Sequence, residues 1–155
     1  MTANKIYVNI EAPYHRRLTQ KWLRAATESV LASEGVERSA ELSLTVTGDK
    51  TVRRLNREYR GIDKTTDVLS FALTENVANT TFVTPSDGVL RLGEVIVSYP
   101  TAQAQAKEHN HPVKRELAWL LIHGILHLLG YDHRDDATEA KMRQREEAIL
   151  KEIDL

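Results

Sequence analysis

The stretch Leu117-Ala-Trp-Leu-Leu-Ile-His123-Gly-Ile-Leu-His127-Leu-Leu-Gly130-Tyr-Asp-His133 decides how the chain folds. From Leu117 to Leu129 it is apolar almost all round. A helix apolar on every face belongs in the middle of a domain, so this one is expected to be central and buried. His123 and His127 are four residues apart, which places them on one helix face, one turn from each other. Gly130 can take a left-handed conformation and end the helix. The turn it allows brings His133 back toward the other two. Three imidazoles at that spacing can close on one metal ion and leave a coordination position open, which is where a metal does chemistry. The chain has no cysteine, so any metal must be held by His, Asp or Glu. Asp132, Asp135 and Asp136 are placed to accept the outer ring N–H of a ligand.

Alternation and helical spacing outline the rest. Ile6, Val8 and Ile10 alternate as a strand, followed by a helix from about His15 to Ser33 that Gly35 stops. Leu42, Leu44 and Val46 give a second strand, and Asp49 is the expected N-cap of a short helix carrying Val52 and Leu55. Strands are expected over 67–73 and 92–98, with a long loop over 74–88 between them. An Ala-rich helix opens near Pro100, Pro112 suits the first turn of the central helix, and Asp136-Ala-Thr-Glu139 resembles a capping box for a last helix ending near Leu150. The order β-α-β-α-β-β-α-α-α predicts an α+β fold: one domain over residues 1–155, a small four-stranded sheet covered by helices.

Composition sets the outer limits. The 155 residues are 41% hydrophobic and 28% charged, with a net charge of −1. Such a chain can bury a core, and its overall charge gives no reason to expect nucleic acid; binding of RNA would need a local patch. No apolar run suits a bilayer and the first residues show no signal core, so no membrane partner and a cytoplasmic location are expected. The local patch exists. Arg53, Arg57, Arg60 and Lys64 are spaced by four, three and four, with Arg54 beside them. Arg60 stands where a helix gives way to a loop at Gly61, a good place from which to reach across a cleft, and arginine grips phosphate through two parallel N–H bonds. A solvated helix face would have the same pattern. His109 and His111 flank a helix boundary and read as surface residues, with His111 able to cap or approach substrate.

The histidine spacing also matches the extended zinc-protease pattern, except that Gly124 stands where that pattern has its general-base Glu. Glycine within a helix gives room beside the metal or allows close helix packing. Taken with Asn56-Arg-Glu-Tyr-Arg60-Gly, Lys64-Thr-Thr-Asp67-Val-Leu-Ser70-Phe71 and Gly93-Glu-Val-Ile-Val-Ser98, the histidine stretch resembles the YbeY family over nearly the whole chain. The resemblance implies a metal-dependent endoribonuclease acting in rRNA maturation and ribosome quality control. It implies Zn2+, or another divalent ion, on His123, His127 and His133, with Arg60 as the functional arginine of the cleft. The substrate strand is expected to lie along Arg53, Arg57, Lys64 and Ser70, as single-stranded rRNA because a small protein reaches a splayed strand more easily, with ribosomal proteins or ribosome-assembly factors as expected partners. The family usually has proline where Thr65 stands, commonly another at Ala72, and Asp at Glu94. Glu94, Asp67 and His111 are the candidate general bases. The rival readings are a metalloprotease-like hydrolase and a non-catalytic assembly factor with a structural zinc closed by a fourth protein ligand.

Overall fold

The computed structural model describes residues 3–36, 39–73, 88–132, 134–153 and 155. Strands β1 (Lys5–Ile10), β2 (Ala40–Thr47), β3 (Val68–Ala72) and β4 (Leu90–Ser98) form a sheet in the order β1-β2-β4-β3. β1, β2 and β4 run parallel and β3 is antiparallel to β4. Parallel neighbours need a crossover between them, and α1 (Gln20–Ser33) supplies the one from β1 to β2. The remaining helices are α2 (Asp49–Arg60), α3 (Tyr99–Glu108), α4 (Val113–Leu128) and α5 (Asp136–Leu150). The α+β class, the element order and the four-stranded sheet are therefore those expected. Among the described residues no helix is long and apolar enough to cross a membrane.

The pleat sorts side chains to two faces. In register, Leu44 lies opposite Val95 and Val46 opposite Val97. These residues join Leu121, Ile122, Ile125 and Leu126 of α4 in the main core, with Val30 and Leu31 of α1 and Met142 and Ile149 of α5. Ile96, one residue out of phase, faces the other way and packs with Leu69 and with Val52 of α2. Ten of the sixteen α4 residues are buried, which bears out its placement at the centre. Gly93 has φ +133°, and a Cβ there would sit 2.1 Å from the Phe71 carbonyl oxygen, so β3 and β4 approach at a point only glycine fits.

Several boundaries differ from expectation, each for a local reason. A 3₁₀ turn (Ala12–Tyr14) precedes the expected start near His15, and α1 begins only at Gln20, where the Thr19 hydroxyl caps it by accepting the Trp22 N–H. Asp49 is not the cap of α2. Gly48 holds that position, while Asp49 accepts hydrogen bonds from Ser98, Thr101 and Thr65 and so ties α2 to α3. Burial pushes the Asp49 carboxyl upward, but those three hydroxyls outweigh it and hold it below the usual carboxylate range. Pro112 is the N-cap of α4 rather than its first turn. The capping box of α5 lies one residue earlier than expected, between Asp135 and Thr138. The bulk of the expected loop, 74–87, lies outside the described residues.

Candidate active site

A cleft of about 650 Å³ opens where β3, the end of α2 and the C-terminal half of α4 meet. Arg60, Ile62, Asp67, Ser70, His123, His127 and Asp132 are among the residues that line it. The two histidines line it from α4, which packs against β3 and β4. Their Nε2 atoms are 3.2 Å apart and their rings meet edge to face. Two nitrogens bound at 2.0–2.1 Å to one tetrahedral ion lie about 3.3 Å apart. The pair therefore fits adjacent coordination positions on a single cation. His133, expected to be the third ligand, lies outside the described residues. The turn leading to it is anchored: Gly130 takes φ +102°, and Tyr131 hydrogen-bonds the Glu34 carboxylate, which, with burial, raises its phenol above the ordinary tyrosine value.

Gly124 resolves in favour of packing. A Cβ there would lie 2.6 Å from Val95 Cγ1 and 3.1 Å from Ser70 Oγ. The Ser70 hydroxyl also donates to the Gly124 carbonyl at 3.0 Å. The glycine lets α4 press onto the sheet, and the face it clears is turned to β3 and β4.

Arg60 is the residue of the basic stripe that lines the cleft together with the histidines. It donates to the Ser70 carbonyl, and its guanidinium lies 5.2 Å from the centre of the Phe71 ring. The bond to Ser70 and the ring of Phe71 help to fix the direction of a group that carries five N–H donors. Arg53, Arg57 and Lys64 do not line the cleft. Arg53 makes a two-pronged pair with Asp63 at 2.9 and 3.2 Å, and Arg57 reaches the same carboxylate at 3.9 Å. The hydrogen bond from Arg53 lowers the Asp63 carboxyl and in turn raises the Arg53 guanidinium. The Lys64 carbonyl accepts from the buried Asn56 amide at 2.9 Å, which braces the loop after α2. Tyr59 stands 68% exposed near the same end of α2, edge-on to Phe71.

Two carboxylates escaped the sequence reading. Glu146 of α5 is 5% exposed and its Oε2 lies 2.9 Å from His123 Nδ1. A signal existed: Met142, Glu146 and Ile149 share the buried stripe of α5, so an acid occupies an apolar position. Glu116, in the first turn of α4, is 4% exposed; its Oε2 contacts His111 Nε2 and lies 3.3 Å from His109 Nδ1. His109, His111 and Glu116 form a group that could hold a metal ion. His109 is exposed as expected, but His111 is largely covered. Among the described residues no carboxylate closes with His123 and His127 into a three-donor group. Asp135 caps α5, and Asp132 pairs with Arg134 at 2.8 Å.

Known proteins resemble this chain in sequence and in fold. The family described as Endoribonuclease YbeY matches residues 6–154. An Endoribonuclease YbeY of Dehalococcoides mccartyi is 42% identical over 154 residues, spanning 96% of each chain. One from Moorella thermoacetica is 47% identical over 133 residues, 86% of this chain and 85% of its own. The solution structure of TM1509 from Thermotoga maritima superposes with a TM-score of 0.63 at 26% identity, covering 96% of this chain and 88% of that one. With the family matched over almost its entire length, the chain belongs to the YbeY endoribonucleases.

Proposed function

We propose that the chain is a metal-dependent, single-strand-specific endoribonuclease, a phosphodiester hydrolase that acts in rRNA maturation and ribosome quality control. The observation that carries this reading is the 3.2 Å approach of His123 and His127 in the cleft that Arg60 also lines. His123, His127 and His133 would hold the ion, with Zn2+ the first choice for three imidazoles and other divalent ions able to use the same set. Such an ion supplies a Lewis acid beside the scissile phosphate. The chain's own contribution is Arg60. Its guanidinium, aimed by Ser70 and Phe71, neutralises the charge that grows on the phosphate oxygens in the transition state.

Arg53, Arg57, Lys64 and Ser70 would guide the strand toward the cleft. Arg53 and Arg57 are more than half exposed in their pairs with Asp63. Ion pairs in water are weak, so an arriving phosphate can displace Asp63. A splayed single strand presents its backbone to a small cleft more readily than a duplex does. Ribosomal proteins or assembly factors in the cytoplasm are the partners this role implies.

The rival readings find less support. A peptidase of the zinc-protease kind needs a general base at position 124, where a side chain would strike Val95. A structural zinc needs a fourth protein ligand, and among the described residues no carboxylate closes with His123 and His127 into a metal-holding group. The test is metal analysis of the purified chain beside cleavage of matched single-stranded and duplex RNA, with His127→Ala as control. About one ion per chain is expected, with single-strand cleavage lost together with the ion in the variant. Cleavage that survives complete metal removal sinks the proposal.

A further inference from the structure

Glu146 is a charged residue where α5 should be apolar. Its neighbours on the buried stripe, Met142 and Ile149, belong to the main core. A carboxylate at such a position is costly unless it is hydrogen-bonded. Among the described residues its partner is the His123 ring, Oε2 to Nδ1 at 2.9 Å. That contact has a chemical consequence for the other side of the ring. An ionised carboxylate only accepts, so the nitrogen facing it must carry the proton. In a neutral imidazole the second nitrogen then bears the lone pair. That nitrogen is Nε2, which faces His127 in the cleft. An unassisted histidine favours the opposite tautomer, with the proton on Nε2, where it would block a cation.

We infer that Glu146, through its hydrogen bond to Nδ1 of His123, is the positioning residue that fixes the tautomer and orientation of His123 and so presents the Nε2 lone pair to a divalent cation. The inference rests on the metal reading of the cleft given above. Ligand histidines gain from an outer carboxylate in two ways: the ring is held in one direction and its basicity rises. Here the carboxylate comes from α5 and the ring from α4, so the contact between these two helices registers the last helix against the cleft. The position could hold a hydrophobic residue at no cost in burial, so a role in packing alone gives no reason for a charge there.

Three variants separate positioning from packing. Glu146→Gln keeps an acceptor, Glu146→Ala removes it, and Glu146→Met removes it while filling the apolar stripe. The first measurement is the side-chain 15N spectrum of histidine-labelled, metal-stripped chain. His123 should show a protonated Nδ1 and an unprotonated Nε2 in the parent chain and in Glu146→Gln. In Glu146→Met and Glu146→Ala the proton should move toward Nε2. The second measurement is Zn2+ affinity by competition with a chelator. Glu146→Met and Glu146→Ala should lose about 10- to 100-fold, with Glu146→Gln recovering part of the loss. Glu146→Met should melt no lower than the parent, which removes misfolding as an explanation. An unchanged tautomer or unchanged affinity in Glu146→Met overturns the inference. A parent chain that holds the Nδ1–H tautomer yet binds no Zn2+ at His127 overturns the metal reading instead, and the two failures are told apart by the metal-free spectrum.

Discussion

The two ends of α4 carry the same chemistry and use it in opposite ways. At the first turn, His109 and His111 both aim a ring nitrogen at one oxygen of the buried Glu116. Two turns on, His123 gives its Nδ1 to Glu146 and keeps Nε2 for the cleft, beside His127 Nε2. The N-terminal group turns its donors on each other, next to a space of about 230 Å³. The C-terminal pair turns them outward, into a cleft nearly three times that volume that an arginine also lines. Carboxylates near a helix N-terminus are favoured by the helix dipole, which suits Glu116 to a structural place. A metal site and a hydrogen-bonded cluster are thus distinguished less by residue type than by where the second nitrogen of each ring points.

The sharpest way to break this contrast is to remove one imidazole from each end. His127→Ala should abolish cleavage, since the loss of several kcal/mol of Lewis-acid stabilisation is at least about 100-fold in rate. His111→Ala should leave cleavage and metal content as they were. Metal analysis and RNA turnover on both variants check it. If a bound ion disappears from His111→Ala, the N-terminal group is a metal site in its own right, and the contrast fails.

Arg60→Ala comes next. Removing a preorganised donor to a developing charge costs about 10²–10³ in kcat. The ion should remain, because Arg60, which bonds Ser70 and lies over Phe71, carries only N–H donors and no lone pair to give a metal. Single-turnover cleavage with parallel metal analysis separates the two effects. Loss of the ion along with activity would mean that Arg60 shapes the metal end rather than the substrate.

A smaller effect is expected at the other end. Glu116→Gln removes a buried charge from its two imidazoles and should cost about 1–3 kcal/mol of stability, read from the denaturant midpoint. Cleavage per folded molecule should not change. A fall in turnover at unchanged stability would give the N-terminal group a part in catalysis and merge what the comparison separates.

The legibility of the chain follows the same division. Everything periodic could be read: the buried α4, the alternating strands, the pair at His123 and His127, and the Gly130 stop. These depend on residues near one another in sequence. The carboxylates could not be read as partners, because Glu116 meets His111 across a helix boundary and Glu146 meets His123 across 23 positions. The capping of α2 and α5 was misjudged for a related reason. Asp49 had three long-range hydroxyl donors to satisfy, and adjacent aspartates at 135 and 136 offered two equivalent local registers. Asp63, next to the last residue of the Arg53–Lys64 stripe that suggested a phosphate track, holds Arg53 and Arg57 for a reason no helical pattern contains.

Gly124 joins the two ends and gives the smallest expected effect. Alanine is a better helix former by about 1 kcal/mol, so an exposed site would gain from Gly124→Ala. Here the new methyl meets Val95 Cγ1 at 2.6 Å. Val95 is fully buried in β4, and a β-branched side chain in a strand has few rotamers to move into. Overpacking of this kind costs about 1–3 kcal/mol. The balance is a net loss of about 1 kcal/mol, or a Tm lower by about 2–4 °C for a chain of this size. The strain is local to the half of α4 that carries His123 and His127, and Ser70 Oγ, which holds that half by the Gly124 carbonyl, is the second atom the methyl would crowd. Zn2+ affinity should therefore fall more than stability does, while the contacts of Glu116 stay intact. A variant that melts higher than the parent would show that α4 can lift from β4 without penalty, and the close seat of the helix would no longer explain why the two rings converge.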